Sequence, residues 1–292
     1  MEKVSIGVIG GSGLYQMEGL EEIEKKQVNT PFGLPSDDIV IGNLEDKKVA
    51  FLPRHKRGHC ILPSEVNSRA NIYALKSLGV EQIISVSAVG SLKEEIKPLD
   101  IVIPDQLFDH TKARPQTFFG EGAVGHISFA DPYCPILSKL LFEAGNGLGY
   151  SIHQGGTYIC IEGPQFSTRA ESNIYRQWGL DIIGMTNLPE AKLAREAEIC
   201  YATIALVTDY DVWHEAEEDV TIEMVLNNLM KNVEHAKQML KTVISQIQDT
   251  TTRQASRQCV CATALKDGII TSPELIPHTV KEKLKLLIDE YL

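Results

Sequence analysis

No stretch of this chain reaches the roughly 18–20 consecutive apolar residues that a helical membrane span needs, so no membrane partner is expected. The opening Met1-Glu-Lys-Val-Ser-Ile-Gly-Val-Ile-Gly-Gly lacks the basic start, long apolar stretch and cleavage site of a secretory signal, which makes a cytoplasmic location the expectation. Basic residues are outnumbered, 28 Lys and Arg against 39 Asp and Glu, for a formal charge of −11. Such a surface repels polynucleotides, so no nucleic-acid partner is expected. A small anion is not excluded, because one pocket of arginine and backbone donors overrides the global sign. Cysteine is sparse: Cys60, Cys134, Cys160, Cys200, Cys259 and Cys261. Their scatter lacks the paired Cys-x2-4-Cys or His groups of a zinc site, so no metal is expected and most read as buried thiols. Cys259-Val-Cys261 is the exception, open to a metal or redox role as well. Whether Cys134, Cys200, Cys259 or Cys261 pair is not readable. Internal repeats and low-complexity tracts are also missing.

What is present is a 292-residue chain of 43% hydrophobic composition, enough for a sizeable core. Short β-branched runs at 4–9, 48–52, 82–86, 100–104, 157–161, 180–185 and 201–208 read as buried strands. Helical spacing is predicted over 64–78 with Ser64 as cap, and over 168–178, 189–198, 221–247 and 280–291. The alternation argues for an α/β domain with a largely parallel sheet. The polar stretch 249–258 reads as a linker, dividing residues 1–250 from a C-terminal helical extension, 251–292, that packs on the same domain. Residues 105–134 lack periodicity and carry Pro115, Gly120, Gly122 and Gly125, the mark of a long functional loop.

Several strands end in small or polar residues, and open α/β sheets bind ligands beyond the carboxyl ends of their strands. Gly10-Gly11-Ser12-Gly13 is either a tight turn or a place where backbone N–H groups and a hydroxyl approach an anion. It is neither a Walker loop nor Gly-x-Gly-x-x-Gly. Arg54-His55 ends the second run; arginine grips phosphate with two parallel N–H bonds, and the alternative is a surface arginine. His59, nearby, reads equally as packed or solvent-facing. Ser87-Ala88-Val89-Gly90-Ser91 repeats the small-residue theme, again with a turn as the alternative. Thr208-Asp209-Tyr210-Asp211 follows the strongest apolar run. If the chain stays extended, its two carboxylates point the same way and suit a base bearing an amino group and a ring nitrogen. Capping, metal binding and plain solvation compete with that reading.

The motifs Gly10-Gly11-Ser12-Gly13-Leu14, Pro53-Arg54-His55, Pro63-Ser64-x-Val66-Asn67, Ala88-Val89-Gly90-Ser91-Leu92, Ile161-Glu162-Gly163-Pro164-x-Phe166-Ser167, Gly184-Met185-Thr186 and Thr208-Asp209-Tyr210-Asp211 occur in this order. The set resembles the trimeric purine nucleoside phosphorylase family, specifically its 5'-methylthioadenosine phosphorylase branch, over roughly residues 4–248. The resemblance implies a single domain with a twisted mixed, largely parallel central sheet flanked by helices. It implies an enzyme that uses phosphate as co-substrate, with no organic cofactor and no metal, and a homotrimer or dimer of trimers. Position by position, Ser12, Arg54, His55, Ser87, Ala88 and Thr186 would hold phosphate. Met185 would meet the ribose, Phe166 and Ser167 the nucleoside, and Asp209 and Asp211 the base, with Asp209 catalytic at N7. Ile222, Val225 and Leu226 align with the pocket for a 5'-thioether, and ordinary helix core is their competing reading. His59 and His126 are further substrate-binding candidates, His126 reaching into a neighbouring subunit's site. An aspartate pair favours a 6-aminopurine, since a keto oxygen would face it lone pair to lone pair. The expected reaction is therefore phosphorolysis of a methylthio-substituted adenosine. The nearest rival is a purine nucleoside phosphorylase acting on inosine, guanosine or adenosine; a nucleoside hydrolase and a non-catalytic binding module are the other classes. Gly184 departs from the asparagine of animal relatives, and Ser12 and Ser87 replace their threonines.

Overall fold

The structure, a computed structural model, describes residues 4–11, 13–14, 19–214, 222–247 and 259–292. Its strands are β1 (Ile6–Gly10), β2 (Glu21–Lys26), β3 (Ile39–Leu44), β4 (Lys47–Pro53), β5 (Gln82–Ser91), β6 (Ile101–Ile103), β7 (Gln106–His110), β8 (Ile152–Gln154), β9 (Thr157–Ile161), β10 (Ile182–Gly184) and β11 (Cys200–Asp209). Its helices are α1 (Ser68–Ser77), α2 (Pro135–Gly147), α3 (Arg169–Gln177), α4 (Asn187–Glu196), α5 (Ile222–Gln246) and α6 (His278–Ile288). All the strands join one mixed sheet. The path runs β2-β3-β4-β1-β5-β10-β9-β7, with β11 on β5, β6 on β11 and β8 on β6.

Strand alternation sorts the core into two faces. Ile6 and Val8 of β1, with Val49 and Phe51 of β4, pack against Leu141 of α2 and Met239, Leu240 and Val243 of α5. Ile9, with Ala50 and Leu52, packs the other way onto Ile72 and Leu75 of α1, Leu193 of α4 and Leu284 and Ile288 of α6. The result is helix, sheet, helix. Residues 259–292 contribute Leu265, Ile276, Val280, Leu284, Leu287 and Ile288 to that second core, so the C-terminal segment packs on the same body as the sheet.

Four parallel strands set the functional end of the sheet. β1 pairs in parallel with β4 and with the first half of β5, and β5 pairs in parallel with β11. Their carboxyl ends therefore share one rim. β5 outruns β1: pairing with β1 stops at Ser85, and pairing with β10, now antiparallel, begins only at Gly90. Between them, Val86 to Val89 pair with β11 alone. That interruption opens the sheet beside its most buried strand.

Several sequence expectations need correction. Ser87 to Ser91 is not a turn, because β11 keeps β5 extended beyond Val86. The predicted helix over 64–78 splits into a 3-10 turn at Pro63–Glu65 and α1, and the cap is Asn67, whose side chain accepts from the Ala70 amide at 3.2 Å, not Ser64. The aperiodic stretch 105–134 contains β7, paired in parallel with β9; as an edge strand with exposed side chains, it carries no buried pattern to read. β2, β3, β8 and α2 add to the predicted elements. Among the described residues no helix is long and apolar enough to cross a membrane.

Candidate active site

A narrow cavity opens at the shared rim, lined by Arg54, His55, Pro63, Val66, Ser68, Arg114, Met185, Thr186, Leu188 and Glu190. Arg54 follows β4 directly and is only 3% exposed. Its expected phosphate-gripping fork is occupied by protein: Nε donates to Glu190 Oε1 at 2.5 Å and Nη2 to Glu190 Oε2 at 3.1 Å. Nη2 also donates to Ser85 Oγ at 2.7 Å, and Nη1 to the Val86 carbonyl at 3.0 Å. One Nη1 hydrogen is left over. The bidentate grip predicted from sequence is thus corrected to a single remaining donor on a pre-aimed cation. Burial opposes the charge on Arg54, but Glu190 beside it more than compensates and holds the guanidinium protonated.

His55 is also buried, and its Nδ1 lies 2.9 Å from the Ile61 carbonyl. A carbonyl only accepts, so Nδ1 carries the proton and Nε2 is left as an acceptor. Burial, then the Arg54 charge, push His55 down to about 4 against a weaker opposing pull from Ile61. The imidazole is therefore neutral near pH 7. His59 stacks on it at 4.6 Å between ring centroids, but is itself exposed.

Ser87 sits where β5 is paired on β11 alone. Its hydroxyl lies 2.8 Å from Thr186 Oγ1 and 3.3 Å from Tyr158 Oη. Thr186 precedes α4 and Met185 follows β10, so the hydroxyl pair ties the two parts of the broken sheet together. Ala88 follows Ser87, half-buried, opposite Leu206 of β11. The Met185 carbonyl is already engaged, accepting from Arg114 Nη1 at 2.7 Å. Arg114 also donates to the carbonyls of Leu188 at 2.6 Å and Glu162 at 2.6 Å, fixing the loop after β9 against the start of α4.

The carboxylate pair ends β11. The expectation that Asp209 and Asp211 align by strand alternation fails, because Asp211 has φ +55. The chain turns left-handed there, a conformation that aspartate tolerates better than most residues. The Asp211 amide donates instead to Asp209 Oδ1 at 2.8 Å, while Thr208 Oγ1 donates to Oδ2 at 2.6 Å. Both residues abut Gly90 of β5: a methyl group there would lie 2.9 Å from Asp209 Oδ1 and 3.4 Å from Asp211 Cβ. Gly90 is thus the close approach that lets the pair sit three residues beyond Ser87. Burial raises the Asp211 carboxyl, with Ser172 and Ser167 beside it pulling the other way. Asp211 Oδ2, Ser167 Oγ and Ser172 Oγ are buried together, with the two serine hydroxyls beside the carboxylate.

Other candidates lie further out. Phe166 is 49% and Leu226 51% exposed, so Phe166 is left uncovered by the protein and helix core does not describe Leu226. His126 is exposed on its loop, held by its amide to the Gly268 carbonyl at 2.8 Å rather than at the cavity. Ile222 and Val225 lie on α5, but their side chains, like Ser12 altogether, fall outside the described residues. Glu190, Arg114 and Tyr158 went unnoticed in the sequence. Each acts through a partner far along the chain, and no local pattern marks them.

The family model described as the phosphorylase superfamily matches residues 5–245. The chain belongs to the phosphorylase superfamily. It is 56% identical to an S-methyl-5'-thioadenosine phosphorylase of Geobacter sulfurreducens, with 100% of each chain covered. A crystal structure of methylthioadenosine phosphorylase from an antarctic soil metagenomic library superposes with TM-score 0.91 at 52% identity, covering 98% of this chain and 99% of that one. Methylthioadenosine phosphorylase from Schistosoma mansoni, in complex with adenine, gives 0.80 at 40% identity over 84% of this chain and 92% of that one. The mixed sheet flanked by helices is that of this superfamily.

The buried neutral His55 has a measurable consequence. Its folded pKa, about 4, lies below the unfolded value of 6.5, so between those pH values the unfolded chain binds a proton that the folded chain does not. Stability should fall as pH drops through that window, by up to roughly 3 kcal/mol from this residue. In His55→Phe the pH dependence of urea unfolding between pH 6.5 and 4 should flatten. An unchanged slope would show that His55 is not the buried neutral group described.

Proposed function

We propose that this chain is an S-methyl-5'-thioadenosine phosphorylase, cleaving its nucleoside with inorganic phosphate to adenine and 5-methylthio-α-D-ribose 1-phosphate in cytoplasmic purine and methionine salvage. The carrying observation is the buried Asp209–Asp211 pair, packed on Gly90 of the same strand whose Ser87 joins the Arg54-lined cavity rim through Thr186. A relative of that name at 56% identity over the full length of both chains supports the substrate.

In this reading phosphate occupies the cavity, meeting the remaining Arg54 donor, the Ser87 and Thr186 hydroxyls, Ser12 and the backbone at Ala88. His55 Nε2 accepts from a protonated phosphate oxygen. Met185 flanks the ribose, and Phe166, Ser167, His59, Ile222, Val225 and Leu226 the rest of the nucleoside. The glycosidic bond breaks with positive charge building on the sugar; phosphate on the opposite face stabilises that charge and attacks C1' with inversion. Asp209 protonates or hydrogen-bonds N7 as the base leaves, lowering the charge on the departing purine, and Asp211 reads the adenine beside it. The reaction so written uses phosphate as co-substrate and calls on no organic cofactor or catalytic metal.

Incubating the purified chain with methylthioadenosine, adenosine and inosine, each with and without phosphate, tests this. Methylthioadenosine should be cleaved fastest and only with phosphate. Adenine release without phosphate would make the protein a hydrolase, and a preference for inosine would favour the 6-oxopurine alternative. Asp209→Asn should lose about 10² or more in turnover of methylthioadenosine while unfolding near the wild-type temperature; wild-type turnover would remove Asp209 from the chemistry.

We propose further that the chain works as a homotrimer or dimer of trimers, His126 serving a neighbouring subunit. An exposed aromatic patch supports association: Trp178, 55% exposed, lies 5.6 Å from the Phe108 ring on the edge strand β7. Light scattering should return three or six chain masses, and Trp178→Glu should lower that number. A monomer would end this proposal.

A further inference from the structure

Four cysteines from three distant segments of the chain meet at the end of the sheet opposite the Arg54 cavity. Cys200 is the first residue of β11, and Cys134 caps α2. Cys259 and Cys261 open the C-terminal segment on either side of Val260. Their sulfur atoms all lie within 4.8 Å of one another, with Cys200 and Cys259 at 3.3 Å. Cys134, Cys200 and Cys261 are buried thiols as expected, but the scatter taken to exclude a zinc-type group is corrected: these three and Cys259 meet, while Cys60 and Cys160 lie outside the group.

Thiols gathered merely as small apolar residues have no reason to converge on one point. A tetrahedral zinc ion with Zn–S bonds of about 2.3 Å separates its sulfurs by roughly 3.8 Å, inside the observed range. Two disulfides would also use all four sulfurs, but each needs an oxidant to take up two hydrogens. A soft divalent ion uses all four and needs none: four thiols release four protons and the ion takes their place. The surroundings suit a structural site. Cys134, Cys200 and Cys261 belong to an apolar cluster with Leu137, Ala202 and Ile247, so no water-bearing open position is provided. Cys259 is half-buried beside Val260, itself 71% exposed, which leaves a way in from solvent. The frame is also fixed, because the Cys134 amide donates to the Tyr201 carbonyl at 2.8 Å and so locks α2 onto β11.

We infer that Cys134, Cys200, Cys259 and Cys261 form a tetrahedral zinc site that clamps the C-terminal segment onto the α/β body. The segment so anchored is the one on which the His126 loop rests. The Leu265 amide donates to Glu198 Oε1 at 3.0 Å, and the Ile270 amide donates to the Val124 carbonyl at 2.9 Å. None of the four cysteines lines the Arg54 cavity, so the ion is structural and the inference stands independently of the reaction proposed above.

The test is metal content of the full-length chain, produced in zinc-supplemented medium, purified under reducing conditions and dialysed against EDTA. Mass spectrometry of the elements should find about one zinc per chain, released stoichiometrically by an organomercurial. Refolding with cobalt(II) alone should give the strong visible bands of a tetrahedral thiolate site. Cys259→Ser with Cys261→Ser should abolish both signals and lower the unfolding temperature, whereas Cys60→Ser should change neither. If the double variant does not fold, the wild-type measurements still decide. A wild-type chain with no stoichiometric metal and no cobalt–thiolate bands overturns the inference, as does an intact mass, taken without reductant, lighter by two hydrogens for each disulfide.

Discussion

Everything at the rim of the candidate site is arranged around one buried ion pair. Arg54 and Glu190 are 3% and 1% exposed, and a charge so far from water is tolerable only when it is paired and its other hydrogen-bonding groups are met. Glu190 meets that demand with both oxygens on Arg54, and Tyr201 Oη donates to Oε2 at 3.0 Å. Arg54 meets it with Ser85 and the Val86 carbonyl. The pair therefore bonds the end of β4 to β5, to α4 and to β11 at once. Removing either member would leave the other as an uncompensated buried charge, costing about 3–5 kcal/mol. Its position also settles how an anion would be received. The neutralised arginine offers direction and one hydrogen rather than a free unit of charge, so neutral hydroxyls and amides must supply the rest of the grip.

The ion pair occupies a gap that the strands create. β5 leaves β1 at Ser85 and meets β10 only at Gly90, and the residues between keep a single neighbour. Backbone groups freed in this way must find other partners. Val86 gives its carbonyl to Arg54. The site is thus the place where sheet hydrogen bonds are exchanged for side-chain ones, as expected for a crevice at a switch in strand order.

Much of this was legible in the chain because it is local. An apolar run that stops at glycine, serine or aspartate announces a strand whose end does chemistry, and the ends of β1, β4 and β11 were readable in that way. The ordered motifs then named the superfamily. What was not legible depends on distance. Glu190 reads as one more acidic residue on a helix until Arg54 arrives from 136 positions away. Arg114 lies in an aperiodic stretch, yet it ties together four backbone carbonyls that no pattern connects to it. The cysteines fail any spacing rule because α2, β11 and the C-terminal segment meet only in three dimensions. Even the aspartate pair was placed for the wrong reason: the chain turns left-handed at Asp211, so the pleat does not align it.

Gly184 shows how a departure from a family pattern is absorbed. A side chain at this position was expected to be missed, but there is no room for one. A methyl group on Gly184 would lie 2.0 Å from Tyr158 Oη. The phenol fills the space and lies 3.3 Å from Ser87 Oγ and 3.4 Å from Thr186 Oγ1. Burial, reinforced by Cys160, pushes Tyr158 up to about 12, so it stays protonated and can donate. The small residue at 184 and the large one at 158 are therefore one decision: the phenol of β9 fills the space beside β10 that a side chain at 184 would need. A larger residue at 184 would have to displace the tyrosine, so the two positions can change only together.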